Sequence, residues 1–487
     1  MNLNAGSILK IVGTVLMIIG LSMSPSVLVS FIYDGYSVSI PFLLTMCISV
    51  AVGFILRISF RNPMHALRVS DGFLIVTMCW FISAALGAVP FIVTGSITNF
   101  TDAFFESCSG FSTTGSSILT DIEALPRGIL FWRSFTHWIG GMGILIFAIA
   151  LMPSLGISGQ NIAVSESPGP SLDKITPKMT DTAKTLYIIY TIFTVAETIL
   201  LMLGGLSLYD ALIQTFGTVG TGGFSNYNDS IAHFDSTYVR MVITAFMFLC
   251  GINFNLYFLS FKRGPKLFTR DSEFKLYIGI FFAASFFIFI MLMIKGSYES
   301  LSEAFSDSIF QVASILTTTG YATADYEMWP SVCQTVILLL MFVGGCSSST
   351  GGGIKVIRIL VLIKLIRRGI STRLHPNVVE TIKLNGKTMS SDTVSAIANH
   401  LFLYVAMLFA GAFLISFENQ DIMTCFSSVI TCLGNIGPGF GSIGPSESFA
   451  GFSHFSKYLL SVYMIAGRLE LYTFFILLTP NFWHPNR

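Results

Sequence analysis

The sequence predicts an all-α integral membrane protein: two N-terminal helices, then four repeats of helix, re-entrant helix and helix. Three observations carry that expectation. The 487 residues are 53% hydrophobic and only 11% charged, against about 25% charged in a soluble globular chain. About ten apolar stretches reach the roughly 20 residues that a bilayer-crossing helix needs. Four short polar, glycine-bearing runs interrupt that apolar text about every hundred residues, the mark of an internal repeat.

In chain order, spans are expected near 11–31, 38–58, 71–96, 127–152, 185–206, 237–261, 274–294, 332–366, 393–417 and 455–479. Residues 1–69 form an N-terminal two-span domain joined by a short basic connector. Its first stretch is too long for a secretory signal, and Ser22 to Ser30 offers no small-residue cleavage site. From Ser70 onward one unit recurs, over 70–153, 181–262, 273–368 and 391–481. With a cytoplasmic N-terminus, the loops on that side collect all of the 27 basic residues except Arg127, Arg133, Arg240, Lys295, Lys457 and Arg468. The positive-inside rule therefore puts both termini in the cytoplasm. Basic residues so dispersed, with a net charge of +1, give no footprint for nucleic acid. The eight cysteines form no Cys-x-x-Cys pair, so neither zinc nor a disulfide framework is implied.

The polar runs are Ser112-Thr113-Thr114-Gly115, Gly220-Thr221-Gly222-Gly223, Thr317-Thr318-Thr319-Gly320 and Gly434-Asn435-Ile436-Gly437. When their last glycines are aligned, Asp102, Asp210, Asp307 and Thr424 fall thirteen residues upstream, and Thr113, Thr221, Thr318 and Asn435 fall two upstream. The interval holds about three helical turns, half a membrane at 1.5 Å per residue. It reads as a short re-entrant helix that starts near an acid, where the positive end of the helix dipole favours one. Irregular backbone at membrane depth must be buried in protein or line a watery path. Four such stretches read as four walls around a central pore, in which main-chain oxygens replace the water shell of a monovalent cation. The expected cation ligands are Thr113, Thr114, Gly115, Thr221, Gly222, Gly223, Thr318, Thr319, Gly320, Asn435, Ile436 and Gly437. Glycine at the last position admits the positive φ that turns a carbonyl inward. No carboxylate lies inside the runs, and carbonyls of moderate field suit K⁺ better than smaller ions.

The eighth span contains Gly344, Gly345, Gly351, Gly352 and Gly353 with Ser347, Ser348 and Ser349. Each glycine costs up to about 1 kcal/mol against alanine in a helix, so an unbroken helix is not expected. The alternatives are a packing kink or an unwound loop beneath the polar runs that acts as a gate. Arg468 lies within the last span, where a lone arginine costs roughly 2.5–3.5 kcal/mol and usually faces an interior. It either braces the fold or sets its charge against cations below the runs. Glu197 and His137 read as hydrogen-bonded packing residues, and Asn253 and Asn255 as helix contacts.

The chain resembles the Trk/Ktr/HKT superfamily of cation transporters, and most closely its bacterial TrkH/TrkG-type potassium uptake subunits. The resemblance rests on Asp102-Ala103-Phe104-Phe105-Glu106 leading into Ser109-Gly110-Phe111-Ser112-Thr113-Thr114-Gly115, on His137-Trp138-Ile139-Gly140-Gly141-Met142-Gly143, and on Gln311 through Tyr326. It covers the whole chain, and the extra N-terminal spans favour the Trk type over the shorter Ktr type. Ser112 and Ser116 depart from the Thr and Ala expected there. The resemblance implies that a serine at Gly115 would go with Na⁺ preference, so the intact glycine implies K⁺. It also implies that 344–353 is an intramembrane gate, with Arg468 beside it. The implied assembly is a homodimer in the lipid of the bacterial inner (plasma) membrane, carrying a cytoplasmic TrkA-type nucleotide-binding ring. The basic loops at 262–275 and 355–387 offer that ring a face.

The function expected is K⁺ uptake through a gated pore, with K⁺ as cargo and no organic cofactor. The alternative is a secondary transporter coupling K⁺ obligatorily to H⁺ or Na⁺. An enzyme is not expected, because no nucleophile–base pair or metal constellation is legible.

Overall fold

A computed structural model describes residues 5–60, 69–143, 179–378 and 380–483. The far part of the 127–152 span and the basic residues Arg61, Arg68, Lys174, Lys178 and Arg487 lie outside the described residues. The described residues are mostly helical. Helices α1 (Ala5–Ser22), α2 (Ser24–Tyr33) and α3 (Tyr36–Ser59) come first, followed by α4 (Val69–Val93), α5 (Phe100–Phe111) and α6 (Arg127–Gly141). Next are α7 (Met179–Leu203), α8 (Leu208–Val219), α9 (Thr237–Cys250), α10 (Phe254–Arg263) and α11 (Lys266–Arg270). Then come α12 (Ser272–Ile294), α13 (Leu301–Leu316), α14 (Ser331–Val343) and α15 (Val356–Leu374). A two-stranded antiparallel hairpin, β1 (Lys383–Leu384) and β2 (Lys387–Thr388), precedes α16 (Ser391–Ile415). The chain closes with α17 (Ile422–Gly434), α18 (His454–Arg468), α19 (Tyr472–Leu478) and α20 (Pro480–Trp483).

Among the described residues six helical segments are long and apolar enough to cross a bilayer unbroken: Ala5–Tyr33, Tyr36–Ser59, Ser70–Val93, Ala183–Leu203, Ser272–Ile294 and Ser391–Glu418. Their outer faces are apolar and exposed. Ile188, Ile192, Val195 and Ile199 make such a stripe on α7, and Phe402, Phe409 and Phe413 another on α16. Apolar outside and serine- and threonine-rich inside is the distribution that hydrocarbon solvent demands. The chain is a multi-pass membrane protein. Where α1 meets α3, Gly13 and Gly53 face each other so closely that a methyl on either would strike the other's carbonyl oxygen; small residues admit such approach.

Two expected spans are broken. The 237–261 stretch bends by 83° between α9 and α10, and 455–479 bends by 119° between α18 and α19. At the first break the Asn253 side chain accepts from Asn255 N–H (2.9 Å), capping a new helix. At the second, Glu470 and Leu471 take left-handed φ of 57° and 58°. The 332–366 stretch ends as helix at Val343 and resumes at Val356, where its glycines place the interruption.

Helices α5, α8, α13 and α17 are the short elements at the centre, buried along nearly their whole length. Twelve residues span about 18 Å. Each is capped by a side chain that accepts from the first turn: Asn99 from Thr101 N–H, Ser207 from Asp210, Ser300 from Glu303 and Asp421 from Thr424. Asp102 and Asp210 fall in the first turn, as the spacing predicts. Asp307 does not. Helix α13 begins one turn earlier than its counterparts, at Leu301, so Glu303 supplies the first-turn acid and Asp307 sits mid-helix.

Candidate functional site

The four short helices end in one backbone motif. Thr113, Thr221, Thr318 and Asn435 all adopt left-handed φ, at 57°, 53°, 59° and 53°. The next N–H in each run reaches back to a carbonyl five residues earlier: Thr114 to Ser109 (2.9 Å), Gly222 to Gly217 (2.8 Å), Thr319 to Ser314 (2.8 Å) and Ile436 to Thr431 (2.9 Å). This is a Schellman ending, whose left-handed residue is usually glycine. Threonine there stores strain of about 1–2 kcal/mol, held by the surrounding packing. Two residues later Gly115, Gly223, Gly320 and Gly437 have φ of 84°, 78°, 83° and 106°.

These glycines join the runs into a closed ring. A methyl on Gly115 would overlap the Gly222 carbonyl oxygen, one on Gly223 that of Thr319, one on Gly320 that of Ile436, and one on Gly437 that of Thr114. The first run therefore meets the second, the second the third, the third the fourth, and the fourth the first. Asn435 reinforces the last contact by donating to Thr114 Oγ1 (2.9 Å). All twelve residues expected to bind cation lie in this ring. Thr113 Oγ1 and Asn435 Oδ1 are buried there with no hydrogen-bond partner among the described residues.

Struts behind the ring were not anticipated from the sequence. Nine residues before each glycine stand Glu106, Gln214, Gln311 and Ser428. Glu106 accepts from Ser117 Oγ (2.9 Å) and Ile118 N–H (2.9 Å), while Gln214 donates to Asn226 Oδ1 (2.9 Å) and Gln311 to Ala324 O (2.9 Å). Each holds the chain that leaves its own run. In the fourth unit Ser427, one residue earlier, does this by bonding Phe440. A polar side chain at that register inside apolar text was the available signal. Asp307 serves similarly through Thr323 Oγ1 (2.9 Å), as Asp210 does through Asn226 Nδ2 (2.8 Å).

Arg133 links the first run to the second. Its Nε donates to buried Glu106 (2.6 Å), its Nη1 to Ser225 O (2.8 Å), and its guanidinium lies 3.5 Å from the Phe224 ring centroid. His137 bonds Gly110 O (2.7 Å) and accepts from Phe224 N–H (3.2 Å), so it packs beneath the second run.

On one face of the ring lies a cavity of about 270 Å³, bordered by all four glycines and by Asn228, Glu447 and Ser448. Beyond it Glu327 accepts from Gly441 N–H, and burial holds its carboxyl above the usual carboxylate range.

The opposite face is covered by the glycine loop, 344–355. Gly352 N–H donates to Thr318 Oγ1 (2.6 Å), a residue of the ring itself. Methyls on Gly351 and Gly352 would strike the carbonyl oxygens of Thr317 and Gly434. Gly344 and Gly353 take φ of 76° and 74° where the loop leaves and rejoins helix. Gly345 accepts from Val356 N–H (3.0 Å), closing the loop's base. The break at 251–253 receives the other side, with Cys346 N–H on Gly251 O (2.8 Å) and Phe254 N–H on Ser348 O (3.1 Å).

Arg468 donates to Thr350 O (2.7 Å) in this loop and to Gly140 O (3.0 Å) and Gly141 O (2.6 Å) at the end of α6. Its guanidinium therefore ties the loop to the first and fourth units. Glu470 pairs with Arg358, just past the loop.

A family model described as TrkH, cation transport protein, matches residues 39–484. Over 98% of its length the chain is 36% identical to the Trk system potassium uptake protein TrkH of Vibrio parahaemolyticus, covering 99% of that protein. It is 36% identical to TrkH and 33% identical to TrkG of Escherichia coli K12, over 98% and 97% of this chain and 99% and 97% of those proteins. The crystal structure of the potassium transporter TrkH from Vibrio parahaemolyticus superposes with a TM-score of 0.89, at 35% identity, covering 99% of this chain and 100% of the other. These relatives are transporters, not enzymes. The chain belongs to the TrkH family of cation transport proteins.

Proposed function

We propose that this chain carries K⁺ across the bacterial inner membrane through a gated, K⁺-selective pore, as the membrane subunit of a Trk-type uptake system. One observation carries the reading: four runs of like backbone close a ring that has a cavity on one face and a glycine loop bonded across the other. Such a ring supplies several neutral oxygens about one axis, which suits a weakly hydrated monovalent cation. The unpartnered Thr113 Oγ1 and Asn435 Oδ1 support it, because a buried oxygen without a hydrogen bond is costly unless something else satisfies it. The pore-forming repeats are 70–153, 181–262, 273–368 and 391–481, preceded by the two-span domain 1–69. The twelve ring residues form the selectivity filter. The gate is the loop containing Gly344, Gly345, Gly351, Gly352 and Gly353, with Arg468 as its clasp. K⁺ is cargo, and no organic cofactor takes part.

Both termini face the cytoplasm, the glycine loop lies on that side, and the 270 Å³ cavity opens outward. Uptake is driven by the membrane potential, worth about 2.3 kcal/mol per charge per 100 mV. The relatives' names place them in Trk systems, which supports a cytoplasmic regulator of the TrkA kind. That ring docks on a dimer of this chain, against the basic segments 262–275 and 355–387. The test is flux into proteoliposomes with K⁺, Rb⁺ and Na⁺ in turn: K⁺ and Rb⁺ enter and Na⁺ is excluded. Equal entry of Na⁺ would overturn the filter assignment.

A second reading, obligatory coupling to H⁺ or Na⁺, is favoured by one residue. Glu197 on α7 is fully buried, and neither carboxyl oxygen has a hydrogen-bond partner among the described residues. Imposing a pH gradient without a voltage separates the two. A pore gives no net K⁺ movement, whereas a proton-coupled carrier concentrates K⁺.

A further inference from the structure

Glu273 stands outside every residue the sequence singles out, yet the glycine loop is fastened to it. It is the second residue of α12 and is 4% exposed. Its carboxylate accepts from Ser347 N–H (2.6 Å), from Ser347 Oγ (2.7 Å) and from Ile357 N–H (3.2 Å). One side chain from a neighbouring helix thus grips the loop at Ser347 and, at Ile357, the first turn of the helix that follows it. Three acceptor bonds to a carboxylate form a stronger clasp than neutral ones would.

The start of α12 is itself held from the other side. Asp271 caps the helix by accepting from Phe274 N–H (2.8 Å), and its second oxygen accepts from Asn385 Nδ2 (2.7 Å). Ser272 N–H donates to Asn385 Oδ1 (2.9 Å). Asn385 is at the turn of the β1–β2 hairpin, in a left-handed conformation with φ of 49°. The hairpin is seated by Ile382, buried with Val361, Val394 and Ile397, and by Lys364 Nζ on Lys383 O (2.6 Å). Its turn and both lysines, Lys383 and Lys387, are exposed. A continuous chain of bonds therefore runs from an exposed hairpin through Asn385, Asp271 and Ser272 to Glu273, and on to the loop.

We propose that Glu273 is a positioning residue that holds the glycine loop across the ring. The 383–388 hairpin, acting through Asn385, is then the lever by which a cytoplasmic partner releases it. This rests on the gate reading above. A two-state loop needs a contact made in one state and lost in the other, and a push on the hairpin withdraws the α12 start from Ser347 and Ile357 together. Lys355, at the end of the loop, and Asp271 are the charged neighbours, and neither touches the Ser347 or Ile357 amides.

The test uses the full chain in proteoliposomes, with basal Rb⁺ flux per inserted molecule and the K⁺/Na⁺ flux ratio as paired readouts. Deletion of residues 351–353 serves as the open reference. Glu273→Ala is expected to raise basal flux roughly tenfold, the effect of losing charge-assisted hydrogen bonds from the closed state, with the ion ratio kept. Glu273→Gln, whose amide oxygen can still accept from both backbone amides but without the charge, raises flux less than Glu273→Ala. Asn385→Ala raises flux less than Glu273→Ala, and the double variant conducts no more than Glu273→Ala alone, because both act along one path. If the deletion conducts while Glu273→Ala stays at the resting level, the clasp is refuted and the gate stands. If neither conducts above rest, the gate reading fails and this proposal with it. Raised flux with a lost ion ratio shows Glu273 to be merely structural. Additive effects in the double variant overturn the hairpin as lever.

Discussion

Gly115 shows how little room the ring leaves at any residue. Its φ of 84° disfavours a side chain, and a methyl there would meet the Gly222 carbonyl oxygen. Gly115→Ser is therefore expected to displace an oxygen of the neighbouring run. The K⁺/Na⁺ flux ratio should drop about tenfold, equal to roughly 1.4 kcal/mol of lost discrimination. An unchanged ratio in a correctly inserted variant would remove Gly115 from the filter. Arg468 gives a second test. The sequence leaves it either bracing the fold or setting its charge against cations, and in the structure its guanidinium is engaged with Thr350, Gly140 and Gly141. A fork that spans three carbonyls cannot be replaced by one ammonium. Arg468→Ala should raise basal Rb⁺ flux, and Arg468→Lys should fall between it and wild type. Wild-type flux in Arg468→Lys would restore the charge-barrier explanation. Arg133 belongs to the fold more than to gating. Removing it strands buried Glu106, a loss of about 3–5 kcal/mol, so Arg133→Ala should extract as an aggregated or heat-labile protein in thermal-melting measurements.

Among the elements, the loop between α14 and α15 is where the gate and kink readings part. A packing kink would need only helix neighbours, whereas this loop bonds a ring residue through Gly352 and Thr318. Deleting residues 351–353 should raise K⁺ flux in the isolated subunit. Resting flux from a normally inserted deletion protein would favour the kink. The interruption was legible because five glycines and three serines cannot sustain a helix, and so were the short helices, from the interval between acid and glycine. The start of α13 was not. Its cap, Ser300, looks like any serine until the first-turn bond to Glu303 is seen. The bends at 251–253 and 468–471 also escaped notice, because apolar residues on both sides of each break keep the hydropathy continuous. Glu273 was hidden for a related reason. Nothing in Asp271-Ser272-Glu273 distinguishes a helix start exposed to water from one whose second acid is buried against a loop more than seventy residues away.

Over the whole molecule, the kinship of the four runs was legible through register alone, since they share few identical residues. What they share is a backbone trace, and the left-handed φ at Thr113, Thr221, Thr318 and Asn435 expresses it. The closure of the ring was not legible, because contacts such as Gly437 with Thr114 join opposite ends of the chain. That closure is what makes four loops one site. Its most direct test is the reversal potential of the 351–353 deletion variant in a planar bilayer with K⁺ on one side and Na⁺ on the other. A K⁺-selective ring predicts a steady current that reverses far from zero, on the side set by the K⁺ gradient, and that moves towards zero when Gly115→Ser is added. A reversal potential at zero in the deletion variant, or one that Gly115→Ser leaves unmoved, would contradict a pore whose selectivity resides in these four runs.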